Sequence, residues 1–220
     1  MTWQQLLSMI GNGLWETFYM VLFSTLLSYL IGLPLGVLLV ATEKDHILPN
    51  APLNHVLGTI INVLRSVPFL ILMIAVIPIT RAIMGSAIGS KATIMPLTIA
   101  AFPYVARTVE TSLKEIDRGV IEAAQSMGAT RLHIVLKVMI PEAMPSLISG
   151  AATATTNILG YSAMAGAIGG GGLGALAINY GYYRYKTDIL LIVVVVLVLL
   201  VQIVQLIGTR GSRLVDHRLK

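Results

Sequence analysis

The chain has 220 residues, of which 56% are hydrophobic and only 11% charged, with a mean hydropathy of +0.84. Soluble domains carry about a quarter charged residues, so this composition excludes an ordinary soluble enzyme or nucleic-acid binder, and the net charge of +5 reads as the basic bias of membrane-protein loops. The absence of cysteine excludes a disulfide framework, a thiol nucleophile and a cysteine-based metal site.

Residues 1–13 lack a basic leader and a cleavage signal, so no removable signal peptide is expected. Five apolar segments then follow, predicting an all-α polytopic membrane protein. Span one is expected over about 14–41, uncharged from Thr17 to Thr42. Span two covers about 56–78 and is interrupted by Arg65-Ser66-Val67-Pro68. Span three runs over about 92–109, span four over about 143–165 and span five over about 188–209. A membrane helix needs roughly 20 mainly apolar residues, which spans one, four and five meet easily. Arg65 and Arg107 must snorkel or face a polar cavity. Glu16 and Glu110, at the ends of spans one and three, are expected at the membrane interface.

Between spans three and four lies the most hydrophilic stretch, residues 107–142. If it is cytoplasmic, Lys44, Arg65, Arg107, Lys114, Arg118, Arg131, Lys137, Arg210, Arg213, Arg218 and Lys220 all lie inside. Only Arg81, Lys91, Arg184 and Lys186 then lie outside. This asymmetry puts the N-terminus out and the C-terminus in.

The stretch has an internal order: Glu122-Ala123-Ala124, three residues, Gly128, nine residues, then Val138-Met139-Ile140-Pro141. Ala123 and Ala124 allow close approach to another surface. Gly128 can end a helix in the left-handed conformation. Thr130 can cap the next helix, and Pro141 marks a turn or kink before span four. This pattern resembles the signature loop of ABC importer permeases. The resemblance implies a type I ABC importer permease fold, one permease domain over 1–220 with its core at about 13–209, and a coupling helix within a cytoplasmic loop at about 111–142. It also implies that Glu122, Ala123, Ala124, Met127, Gly128 and Pro141 contact an ATP-hydrolysing subunit. One departure stands out: the family typically has Pro where this chain has Asp117, a residue able to cap the coupling helix.

Span four carries Ser146, Gly150, Thr153, Asn157 and Tyr161 on one helical face. Such a face either packs helices together, within a homodimer for instance, or lines a polar path. Residues 160–174 then hold seven glycines, which break helical regularity. Non-helical backbone at membrane depth needs protein or a water-filled cavity around it, so this segment is read as an external gate. The run from Gly160 to Gly174 and the strip Asn62–Phe69 resemble permeases of methionine importers in particular. That likeness places Asn157, Tyr161, Ser162 and Met164 on the translocation path or gate. Met164 contacts a thioether, acts as a plug, or simply fills the core.

Gly169-x-Gly171-x-x-Gly174 matches a dinucleotide fingerprint in letters only, because no βαβ context surrounds it. No phosphate-binding loop is present, so ATP and Mg are expected on a partner ATPase, with no cofactor or metal on this chain. His46, His55, His133 and His217 are dispersed and suggest no metal site. The resemblance implies an amino-acid importer, for L- or D-methionine, in the bacterial inner membrane. Its partners would be a second copy of the chain, two ATP-binding subunits, an external substrate-binding protein and lipid, with no nucleic acid. Alternatives are a permease for another small solute, a gradient-driven secondary transporter, or a non-transporting scaffold. A gradient-driven carrier usually shows internal repeats and ionisable groups at the midplane; neither is visible.

Overall fold

Helices account for nearly all regular structure in the computed structural model, which describes residues 2–216; no strand occurs among them. His217, Arg218 and Lys220 lie outside the described residues. The elements are α1 (Trp3–Ala41), α2 (Ala51–Ser66), α3 (Phe69–Ala75), α4 (Ile77–Met84), α5 (Ser90–Lys114), α6 (Arg118–Ser126), α7 (Arg131–His133), a π turn (Ile134–Met139), α8 (Ile140–Glu142), α9 (Met144–Ala165), a 3-10 turn (Gly166–Ile168), α10 (Gly172–Leu176), a second π turn (Ala177–Tyr182) and α11 (Thr187–Val215). Three of these, α1, α5 and α11, are individually long and apolar enough to cross a membrane. Counting the pair Ala51–Ser66 with Phe69–Ala75 and the pair Arg131–Glu142 with Met144–Ile168 as broken spans gives five.

The expected boundaries hold best for span four, read as 143–165 and found as α9. Span one begins eleven residues earlier than expected, at Trp3. Gly13 is buried in the helix, and its missing side chain leaves room for Leu176. Span two breaks completely at Val67-Pro68, because Pro68 cannot donate to a helical ladder and restricts the residue before it.

The chain divides into two compact units. The first comprises Met1–Leu27, Val67–Ala101 and Ala154–Gln205. One of its cores gathers Met20, Phe69, Met73, Leu97 and Ala165, with Tyr161 packed against them. Another gathers Leu6, Leu173, Ile189 and Val193, so the unexpected first turns of α1 are held by real packing.

The second unit comprises Ser28–Ser66, Phe102–Thr153 and Leu206–Lys220. Lipid is as apolar as leucine, so helices here need close van der Waals approach rather than a hydrophobic drive. Gly32 and Gly36, one turn apart on α1, supply it. A Cβ on Gly32 would stand 2.8 Å from Phe102 O, and one on Gly36 would stand 2.6 Å from Ala106 O. Leu39, Ile61 and Ala106 form the adjoining core. Glu110 is buried at 7% exposure, where Arg107 and Lys114 on its own helix pair with it. Arg107 bonds α2 through Gly58 O and Asn62 Oδ1.

Candidate functional site

Two segments matter most, one in each unit. In the second unit, α5 ends at Lys114 and α6 begins at Arg118, with three residues between them. Asp117 is the N-cap of α6, its carboxylate accepting from Gly119 N at 2.7 Å. The charge suits the positive end of the helix. Ile121 and Ala124 are buried, while Glu122, Ala123, Gln125 and Ser126 face outward. The two alanines therefore differ: Ala123 lies on the open face, and Ala124 seats the helix on its own unit.

Met127 follows at 81% exposure, and Gly128 takes φ +79°, which reverses the chain. Thr130 then caps the next helix, Oγ1 accepting from His133 N at 3.4 Å. Leu132 and Leu136, four residues apart, are both more than half exposed. Beside them, Ala124, Met127, Gly128, Ala129, Thr130, His133 and Val138 line a depression of about 430 Å³. Pro141 is exposed at the start of α8, and the chain bends by 72° at Ala143, just beyond it. A capped helix, a reversal and bare Val120, Met127, Leu132 and Leu136 together form an apolar surface fit for a protein partner.

The α1–α2 connection borders this segment. Ile47 is buried, and Asn54 Nδ2 donates to Leu39 O at 2.6 Å, closing the turn. Burial holds the His46 imidazole below its ordinary pKa; Glu43 opposes that shift and Arg118, at the start of α6, adds to it.

In the first unit, Tyr161 stacks on Phe69, the rings parallel within 8° and 4.6 Å apart. Asn157 is half-buried. Met164 is 48% exposed, whereas Ser162 is buried with its hydroxyl donating to Leu159 O at 2.7 Å. Ser162 thus spends its hydrogen on its own helix. In the second unit, Ser146 donates to Ser112 Oγ at 3.0 Å and Gly150 lies directly against Thr108. That part of the polar stripe is packing inside one chain.

The glycine-rich segment breaks α9 as its composition predicts. Gly169, Gly171 and Gly172 all have positive φ, and Gly170 N donates to Ala165 O at 2.9 Å. No strand precedes it, so the dinucleotide pattern has no structural basis. Among the described residues, no three His, Asp or Glu side chains gather as a metal site. Sequence reasoning missed the contact of Glu16, which accepts from Gly172 N at 2.7 Å. Its partner is 156 residues away, and no local pattern announces such a contact.

Residues 29–220 match the family model described as the binding-protein-dependent transport system inner membrane component. The chain belongs to this family. It is 50% identical over 204 residues to the probable D-methionine transport system permease protein MetI of Vibrio cholerae serotype O1, covering 93% of this chain and 91% of the relative. It is 46% identical over 158 residues to the D-methionine transport system permease protein MetI of Escherichia coli K12, covering 72% and 73%. Among solved structures, an inward-facing MetNI methionine ABC transporter aligns with a TM-score of 0.96 at 44% identity, covering 99% of this chain and 100% of that one. An amino acid ABC transporter with histidines aligns at 0.77 and 21% identity over 95% of each chain, which speaks to the fold alone. As a member of this permease family, the chain is an inner membrane transport component.

Proposed function

We infer that this chain is the membrane-spanning permease subunit of an ATP-driven importer that carries methionine inward. Its catalytic partner is a separate ATPase, which holds ATP and Mg, and residues 1–220 act as one permease domain. Two copies of the chain form the path, two ATP-binding subunits dock on it, and an external binding protein delivers the solute. The reading rests on the family relationship, on the methionine transporters it resembles, and on the capped α6 with its bare apolar neighbours. Glu122, Ala123 and Met127 are the side chains offered to the ATPase; Ala124, Gly128 and Pro141 shape the segment. With that segment cytoplasmic, the N-terminus lies outside and the C-terminus inside.

ATP binding draws the ATPases together and moves the two docking segments with them. The helices tilt, the path opens outward to receive solute, and hydrolysis resets it inward. Asn157, Tyr161 and Met164 are the contacts proposed along that path, and Ser162 braces their helix. The test is co-purification of an ATPase with the wild-type chain and its loss in Glu122→Arg. Reversed charge on the exposed face should break the complex while the permease remains folded. Failure of the wild type to bind any ATPase overturns the reading.

A further inference from the structure

The backbone of the glycine segment is fastened from two directions within the first unit. On one side, Glu16 Oε2 accepts from Gly172 N at 2.7 Å and Thr17 Oγ1 accepts from Leu173 N at 2.9 Å. These are the first amides of α10, which have no partner within the helix. Gly172 and Leu173 are buried, so water cannot serve them. On the other side, Gly89 N donates to Gly169 O at 2.8 Å, and Thr93 Oγ1 donates to Gly170 O at 3.3 Å.

The glycines are what permit this. A Cβ on Gly171 would stand 2.7 Å from Glu16 Oε2, and one on Gly172 would stand 2.6 Å from Thr17 Oγ1. Positive φ at both positions disfavours any other residue in any case. Glu16 also supplies negative charge where the amide dipoles of α10 begin. The loop in turn holds the end of α9 through Gly170 N and Ala165 O, at 2.9 Å. That is the turn of helix carrying Tyr161 and Met164.

We propose that Glu16 is a positioning residue for transport: its carboxylate keeps the glycine loop seated against α1, and so sets the end of α9 that faces the solute. The proposal rests on the transport reading above. Without the clamp, the loop loosens and ATP is hydrolysed with less solute moved.

The test uses the full permease–ATPase complex in proteoliposomes, comparing wild type, Glu16→Ala, Glu16→Gln and Thr17→Val. Methionine uptake per ATP hydrolysed is measured together with amide exchange in peptides spanning 170–176. Glu16→Ala should speed exchange there by about tenfold and lower uptake per ATP by a similar factor, since one charged hydrogen bond is lost. Glu16→Gln keeps an oxygen acceptor without the charge and should fall between. Thr17→Val, which loses a neutral acceptor, should speed exchange less than Glu16→Ala. Unchanged uptake per ATP in Glu16→Ala overturns the proposal, as does a loss of uptake that merely tracks the amount of assembled complex. If Glu16→Ala does not assemble, Glu16→Gln decides by the same ratio. Should the wild-type complex import no methionine, the transport reading fails, and the exchange data separately report whether the clamp exists.

Discussion

Arg107 Nη1 donates to Glu110 Oε2 at 2.6 Å, while its Nη2 donates to Gly58 O at 3.0 Å and Asn62 Oδ1 at 2.9 Å on α2. Glu110 Oε1 accepts from Lys114 Nζ at 2.8 Å, and Lys114 also pairs with Glu43. One buried carboxylate therefore links two cations that reach α2 and the end of α1. Removing a single member of a buried pair leaves the other charge without compensation.

Glu110→Ala should lower the stability of the purified chain by about 2 kcal/mol, below the full value for a buried pair because Lys114 is well exposed. Glu110→Gln should be milder. Adding Arg107→Ala to Glu110→Ala should restore part of the loss, which a double-mutant cycle on thermal midpoints would register as coupling. Strictly additive losses would show that the pair does nothing together.

The two alanines of the segment proposed to dock the ATPase should separate binding from folding. Ala123 is exposed and Ala124 buried. Ala123→Trp should leave the thermal midpoint of the permease unchanged and abolish ATPase capture. Ala124→Trp overpacks the seat of α6, costing about 1–3 kcal/mol, and should accelerate amide exchange across 118–126. Equal effects of the two on capture and on exchange would contradict the orientation of α6.

Much of this segment was legible in sequence because its signals are local. Asp117, Gly128 and Thr130 act on backbone within three residues of themselves, so residue type and spacing suffice. The same holds for α9, whose ends follow from its apolar run. The ion cluster was half visible: Arg107, Glu110 and Lys114 stand at helical spacings of three and four, but the contact with Asn62 depends on how α2 packs. The start of α1 and the role of Glu16 were not visible at all. Both depend on partners beyond residue 170 in the chain, Leu176 for Gly13 and Gly172 for Glu16. A glutamate near the end of an apolar run looks the same whether it meets water or a distant amide.

Capping predicts a modest local effect. Asp117→Ala removes the acceptor for Gly119 N and should destabilise the first turn of α6 by about 1 kcal/mol. Amide exchange at 119–121 should rise several-fold with little change elsewhere. Asp117→Pro, the residue typical of the family here, loses the same bond but fixes the backbone for helix entry, so ATPase capture should persist.

His46 predicts an acid sensitivity near the start of α6. Its folded pKa lies below its ordinary value, chiefly from burial, with Glu43 opposing and Arg118 adding. Unfolding lets such a histidine take up a proton. It therefore has no effect well above its unfolded pKa of about 6.5, and the fold loses stability as pH drops through that value toward the folded pKa. Stability should fall between pH 7.5 and pH 5.5, and His46→Gln should flatten that slope. A slope unaffected by His46→Gln would assign the sensitivity to other groups.

The stack of Tyr161 on Phe69 separates a structural from a contact role for the tyrosine. Phe69 is buried in the core with Met20, Met73, Leu97 and Ala165, so Phe69→Ala should cost about 3 kcal/mol. It should lower the thermal midpoint clearly and disturb the upper turns of α9. Tyr161→Phe keeps the ring, and with it the parallel stack at 4.6 Å, and should leave the midpoint unaltered. If the Tyr161 hydroxyl meets solute, uptake by Tyr161→Phe should show a raised apparent KM at unchanged maximal rate, because only a binding contact is lost. An unchanged KM would leave the tyrosine as a packing ring and shift attention to Asn157 and Met164.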